Sequence, residues 1–90
     1  AKQILRHLNS SCKLAFREVA TNLNLIASRL KSGARVSDCI AIIDMKRAEW
    51  AGTEQAKYLR PSTLFRASNF EQYLGQIGQA TRPRLGGDIV

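Results

Sequence analysis

Acidic residues are scarce in this chain. Seven Asp and Glu stand against fourteen Lys and Arg, for a formal charge of +7, and the pI lies near 10.1. That balance favours a polyanionic partner, whether DNA, RNA or an acidic protein surface. Cysteine is equally sparse: Cys12 and Cys39 are too few for a disulfide scaffold, and their apolar contexts read as reduced core positions. No apolar run approaches the roughly 20 residues a membrane span needs, and no signal peptide is visible. A cytosolic protein is the expectation. The chain also lacks a glycine-rich phosphate loop, so nucleotide hydrolysis is not indicated. His7, Cys12 and Cys39 make no structural zinc set, which usually needs four ligands. Cys12 has no evident base, and the carboxylates are scattered, so neither a thiol nucleophile nor a metal-dependent nuclease is suggested. The expectation is a protein without cofactor or metal, and not an enzyme.

What is present is a helical pattern. At 90 residues with 44% hydrophobic residues, the chain suits one small ordered domain. Ile4, Leu5 and Leu8 predict a first helix over 2–10, which Asn9, Ser10 and Ser11 then weaken. Leu14 and Phe16 are expected core contacts, and His7 is expected to face solvent. Thr21 or Asn22 is the expected cap of a second helix, whose stripe is Leu23, Ile26, Ala27 and Leu30. Arg29 and Lys31 fall in its last turn, and Gly33 stops it. Ser37 is the expected cap of a third helix, with Asp38 beside it. Val36, Cys39, Ile40, Ile43 and Trp50 then share a face, and Arg47 falls on the same stripe. Gly52 ends that helix, and Thr53 caps a further turn from Glu54 to Tyr58.

Pro61 forces Arg60 into extended backbone and opens a new turn from the first helical position. Ser68 to Glu71 reads as a capping box ahead of a last helix through Ile77. No segment alternates as a strand should. The predicted class is all-α, with about five helices, some short, over 1–77 and a flexible tail over 78–90. The chain opens at Ala1 inside an uncapped helical pattern, which predicts a domain cut from a longer protein.

Residues 49–74 hold the only Trp, both Tyr and two of the three Phe. They are read mainly as a plug, with Trp50 as its hub and Leu59, Leu64, Phe65, Phe70 and Leu74 on two short helices that close over it. Tyr58 and Tyr73 form a rim or stack a base. Lys46, Arg47, Lys57, Arg60 and Arg66 surround them, so Lys46, Arg47, Lys57, Tyr58, Arg60 and Arg66 are the candidate nucleic-acid contacts. Arg60 has a structural alternative, an inward clamp on Glu49 or Glu54. Should Arg60 act so, the search for the nucleic-acid surface moves to Arg29, Lys31 and Arg35.

The spacing of Trp50, Tyr58-Leu59-Arg60-Pro61, Thr63-Leu64-Phe65, Asn69-Phe70-Glu71 and Tyr73-Leu74 resembles the conserved C-terminal domain of phage replication proteins, a group discussed with DnaD-like replisome organisers. "ILRHLN" and "NLNLIASRLKSGARVSDCIAIID" extend the resemblance over about residues 4–77. It implies the C-terminal part of a longer protein, behind a winged-helix or similar module. It implies a role in starting phage or prophage DNA replication. The resemblance sets such a role in the cytoplasm of a bacterial host cell and leaves the contact open. The basic rim supports an accessory domain that contacts DNA, possibly single-stranded. The apolar second face of the third helix and the loose tail support a module that recruits a replicative helicase or loader, or self-associates.

Overall fold

The computed structural model describes the backbone of residues 1–81. Five helices follow one another: α1 (Lys2–Cys12), α2 (Ala20–Lys31), α3 (Val36–Trp50), α4 (Pro61–Leu64) and α5 (Ala67–Thr81), with a 3-10 turn over Glu54–Tyr58. Among the described residues there is no strand, and no helix is long and apolar enough to cross a membrane. The helix α5 enters the segment expected as tail, and residues 82–90 lie outside the described residues.

The helix α1 buries Ile4, Leu5 and Leu8 against α2 and α3. It runs past the serines expected to weaken it. The hydroxyls of Ser10 and Ser11 donate to the His7 carbonyl at 3.3 and 2.7 Å, so they bond along the helix instead of competing with it. It ends at Lys13, whose φ of 58° is left-handed. The Leu14 N–H then reaches back to the Asn9 carbonyl at 2.8 Å. Asn9 closes the loop beyond: its carboxamide donates to the Phe16 carbonyl and accepts the Phe16 N–H, both at 2.9 Å. This pairing holds Phe16 partly in the core and leaves Leu14, an expected core contact, exposed.

Three predicted caps move. The helix α2 starts before Thr21 and Asn22, with extended Val19 as its cap residue. Asn22 instead donates its amide to the Arg17 carbonyl at 2.8 Å, bracing the incoming loop. At α3 the cap residue is Arg35, two residues ahead of the expected Ser37. Its N–H donates to the Asp38 carboxylate at 2.9 Å, so Asp38 satisfies one of the donors left free at a helix start. At α5 the Phe70 N–H already bonds the Arg66 carbonyl at 2.8 Å, which places Ser68 inside the first turn. Asn69 spends its amide on the Thr63 carbonyl at 3.0 Å, tying α5 to α4. The turn after α3 follows expectation. Gly52 has a φ of 79°, and the Thr53 hydroxyl accepts the Gln55 N–H at 3.1 Å while donating to the Trp50 carbonyl at 2.7 Å.

The buried face of α3 is rotated from the predicted one. Cys39, Ile42, Ile43 and Lys46 are buried, whereas Val36 is exposed. Because α1 packs on one side of α3 and α5 on another, the covered arc is wider and differently phased than one stripe suggests. Arg47, expected on the stripe, is exposed, and Lys46 stands in its place. The core is completed by Ile26 from α2, by Leu64 and Phe65, and by Phe70, whose ring lies 6.0 Å from that of Phe65. Leu59 and Pro61 are buried beside them. Trp50 is not the hub. It is half-buried and packs on the margin of the core, as does Leu74, because Trp50 sits at the last residue of α3, where the helix leaves the interior.

Candidate nucleic-acid interface

Three aromatic rings meet at the end of α3. Trp50 makes edge-on contacts with Tyr58, at 6.3 Å and 70°, and with Tyr73, at 6.2 Å and 82°. Edge-to-face geometry places the positive ring edge against a negative face, so the three form one rigid step rather than a flat stack. Gly52 and Thr53 turn the chain so that the 3-10 turn brings Tyr58 back over Trp50, while α5 supplies Tyr73 from the other side. Burial, and secondarily the Glu49 carboxylate, push the Tyr73 phenol above its ordinary pKa.

The cations divide into two kinds. The Lys46 ammonium lies inside the step, 4.4 Å from the Tyr73 ring centre and 5.2 Å from that of Trp50. It donates to Glu49 Oε1 at 2.9 Å and to Gln76 Oε1 at 3.1 Å. With a residue exposure of 4%, Lys46 is corrected from surface contact to structural cation, since its donors and its charge are already engaged. Lys57 and Arg60 stay outside. Each places its charge 5.3 Å from the Tyr58 ring centre. Arg60 is exposed, and its Nε donates to the Thr63 hydroxyl at 3.0 Å. Its partner is therefore on its own turn of chain, and it is not a clamp on Glu49 or Glu54.

Of the six predicted contacts, the structure brings together Lys57, Tyr58 and Arg60. Tyr58 is 37% exposed, a large apolar ring with cations at hand. Arg47 stands elsewhere, beside Cys12 and Leu14 on an apolar groove between the ends of α1 and α3. Arg66 stands elsewhere again, sharing a cleft with Arg29 of α2. Among the described residues no cluster of three or more His, Cys, Asp and Glu is placed to hold a metal ion.

Sequence reasoning missed two contacts of this region. Lys46 precedes Trp50 by four residues, the spacing at which helical side chains meet, and that was the available signal. His7, expected to face solvent, reaches from α1 to α3: its Nε2 lies 2.8 Å from Asp44 Oδ1 and 3.2 Å from the Ser11 hydroxyl. No local pattern connects positions 37 residues apart.

Fold and site together define a small all-α domain with one aromatic, cation-flanked face. Residues 4–75 match the family model described as conserved phage C-terminus, and the chain belongs to that family. No curated protein and no solved structure matches it.

Proposed function

We propose that this domain is a non-catalytic part of a phage or prophage replication initiator of the DnaD-like replisome organiser group, and that it binds DNA in the cytoplasm of the bacterial host. The observation that carries this reading is the exposed Tyr58 ring, with the charges of Lys57 and Arg60 each 5.3 Å from its centre. A base has a π-face for the ring and phosphates for the cations, and neither contact depends on sequence. The +7 charge adds a long-range attraction to any polyanion. The resemblance in Trp50, Tyr58 to Pro61 and Thr63 to Phe65 suggests the replication context, and the family match adds that the domain is a conserved phage one.

Titration of single-stranded and duplex oligonucleotides at low and high salt tests the proposal. Binding should be stronger to the single strand and should fall steeply with salt. Tyr58→Ala should weaken it by about 1–3 kcal/mol, with Tyr58→Phe close to wild type. Absence of binding at low salt removes the reading.

A second reading rests on a different observation. The groove between the ends of α1 and α3 is lined by Cys12, Leu14, Ala51, Ala56 and Leu59, and Leu14 is exposed within it. Such a groove suits an apolar side chain of a replicative helicase or loader. Co-purification with the host helicase, lost in Leu14→Glu and kept in Tyr58→Ala, would favour recruitment over DNA binding.

A further inference from the structure

Between α2 and the start of α5 lies a cleft of about 330 Å³. Arg29 lines it from the last turn of α2, and Arg66 from the residue before α5. Neither forms an ion pair among the described residues. Both charges are therefore uncommitted, unlike that of Lys46.

The state of Arg29 points to a ligand more directly. Its Nε is buried and has no hydrogen-bond partner among the described residues. Buried donors are almost always satisfied, and one on a charged group most of all. That nitrogen is closed to the cleft as it stands, so an acceptor there meets the outer part of the half-buried guanidinium and reaches Nε only if the side chain turns. The surroundings select the kind of acceptor. Ala67 lies in the lining as the first residue of α5, a helix of fifteen residues. The first-turn N–H groups of a helix have no intrahelical acceptor, and its dipole is positive at that end. Asn24 and Ser28 add neutral hydrogen-bonding groups, and Phe65 supplies an apolar wall. An adjoining cavity shares Arg29 with Asp38 and Glu71. Those carboxylates repel an anion from that side, so entry is from the Arg66 side.

We propose that this cleft seats one phosphate of a nucleic-acid backbone, with Arg29 and Arg66 as paired guanidinium donors and the start of α5 beneath. A tetrahedral oxyanion matches the guanidinium fork, which can donate two parallel N–H bonds to it. The inference rests on the nucleic-acid reading for the source of the phosphate. It adds a contact that the Tyr58 step does not contain, and it places one basic residue of the aromatic segment, Arg66, in a different site.

The test uses the whole chain, ¹⁵N-labelled, titrated first with inorganic phosphate and then with a short oligothymidylate. Phosphate should shift the Arg29 Nε–H and the Ala67 and Ser68 amides saturably. Arg66→Gln should weaken the oligonucleotide about tenfold at low salt, uniformly across sequences. Arg29→Lys, which keeps the charge and removes the fork, should weaken it similarly. Thermal melts confirm that each variant is folded, and exposed Arg66 is the safer of the two. Unchanged oligonucleotide affinity in both variants, with Tyr58→Ala still impaired, overturns the inference and leaves the Tyr58 reading standing. Phosphate binding here with no oligonucleotide binding at all sinks the nucleic-acid reading and reduces the cleft to a free-phosphate site, against the proposal. Equal phosphate shifts at every basic residue would show a diffuse ion atmosphere and also overturn it.

Discussion

The ammonium of Lys46 on α3 lies 4.4 Å from the centre of the Tyr73 ring on α5. This contact joins two helices through a charge, at a position where helical phase alone calls for an aliphatic residue. The same ammonium meets Trp50, Glu49 and Gln76, so one side chain links α5, α3 and the aromatic step.

Lys46→Ala should therefore destabilise the domain by about 2–3 kcal/mol, the sum of lost packing and a desolvated cation–π contact. Lys46→Met keeps most of the volume and removes the charge together with its desolvation cost. It should recover more than half of the loss in urea denaturation. If Met is as damaging as Ala, the charge rather than the bulk holds α5 in place.

Trp50 and Phe65 can be ranked. Phe65 is 1% exposed at the centre of the core, whereas Trp50 is half-buried at its margin. Phe65→Ala should cost about 3–5 kcal/mol, and Trp50→Ala should cost less in spite of the larger ring. The native Trp emission should be only partly blue-shifted and partly open to acrylamide. The reverse order of melting temperatures would show that the Tyr58–Trp50–Tyr73 step, and not the Phe65–Phe70 pair, is the centre of stability.

Much of the architecture was legible because it rests on local rules. Apolar spacing reports a helix whenever one face is covered, and Gly33, Gly52, Thr53 and Pro61 mark their boundaries by backbone chemistry that needs no partner. The phase of α3 was not legible. It depends on α1 and α5 arriving from different sides, which is long-range information. The caps failed for a local reason. Ser37, Thr21, Asn22 and Ser68 have cap chemistry, but each falls inside its helix; Asp38 takes the Arg35 N–H, while Asn22 and Asn69 donate to the Arg17 and Thr63 carbonyls. Of the site, the Tyr58 group was legible because Lys57, Tyr58 and Arg60 are close in sequence. The distribution of Lys46, Arg47 and Arg66 to three other places required the fold.

Acid should expose the ion pair between α1 and the loop before α2. Arg6 Nε lies 2.6 Å from Glu18 Oε2, and the hydrogen bond from Arg6 holds the Glu18 carboxyl below its ordinary pKa. A depressed folded-state pKa contributes stability above the unfolded value, and that contribution is lost as pH falls through the folded value. Glu18→Gln should be less stable than wild type at neutral pH, and the gap should begin to close as pH falls below the ordinary carboxylate range and vanish below the lower folded value. Both groups are solvent-accessible, so the gap should be small and should shrink with salt. A gap that persists at low pH would assign the effect to packing.

The two thiols should differ sharply toward alkylation. Cys39 is fully buried, and burial, with Asp38 nearby, pushes its pKa up to about 11. Cys12 is half-buried, and burial raises its pKa as well, though the nearby Arg47 opposes the shift. Since the thiolate is the nucleophile, iodoacetamide should label Cys12 first and Cys39 only after unfolding. The raised Cys39 pKa also means that stability is complete below the ordinary thiol value and declines as pH rises toward 11. Equal labelling in native protein would indicate frequent opening of α3.

Lys13 holds a left-handed backbone that a side chain with a Cβ adopts at a cost of roughly 1 kcal/mol, which glycine would not incur. The domain thus carries an unused reserve at the end of its first helix. Lys13→Gly should raise the melting temperature, where most surface changes would leave it alone. That the position is a lysine means the fold tolerates the strain with margin to spare. It also marks the residue as the first place to engineer a hardier variant, without touching the aromatic step, the Arg29 cleft or the core.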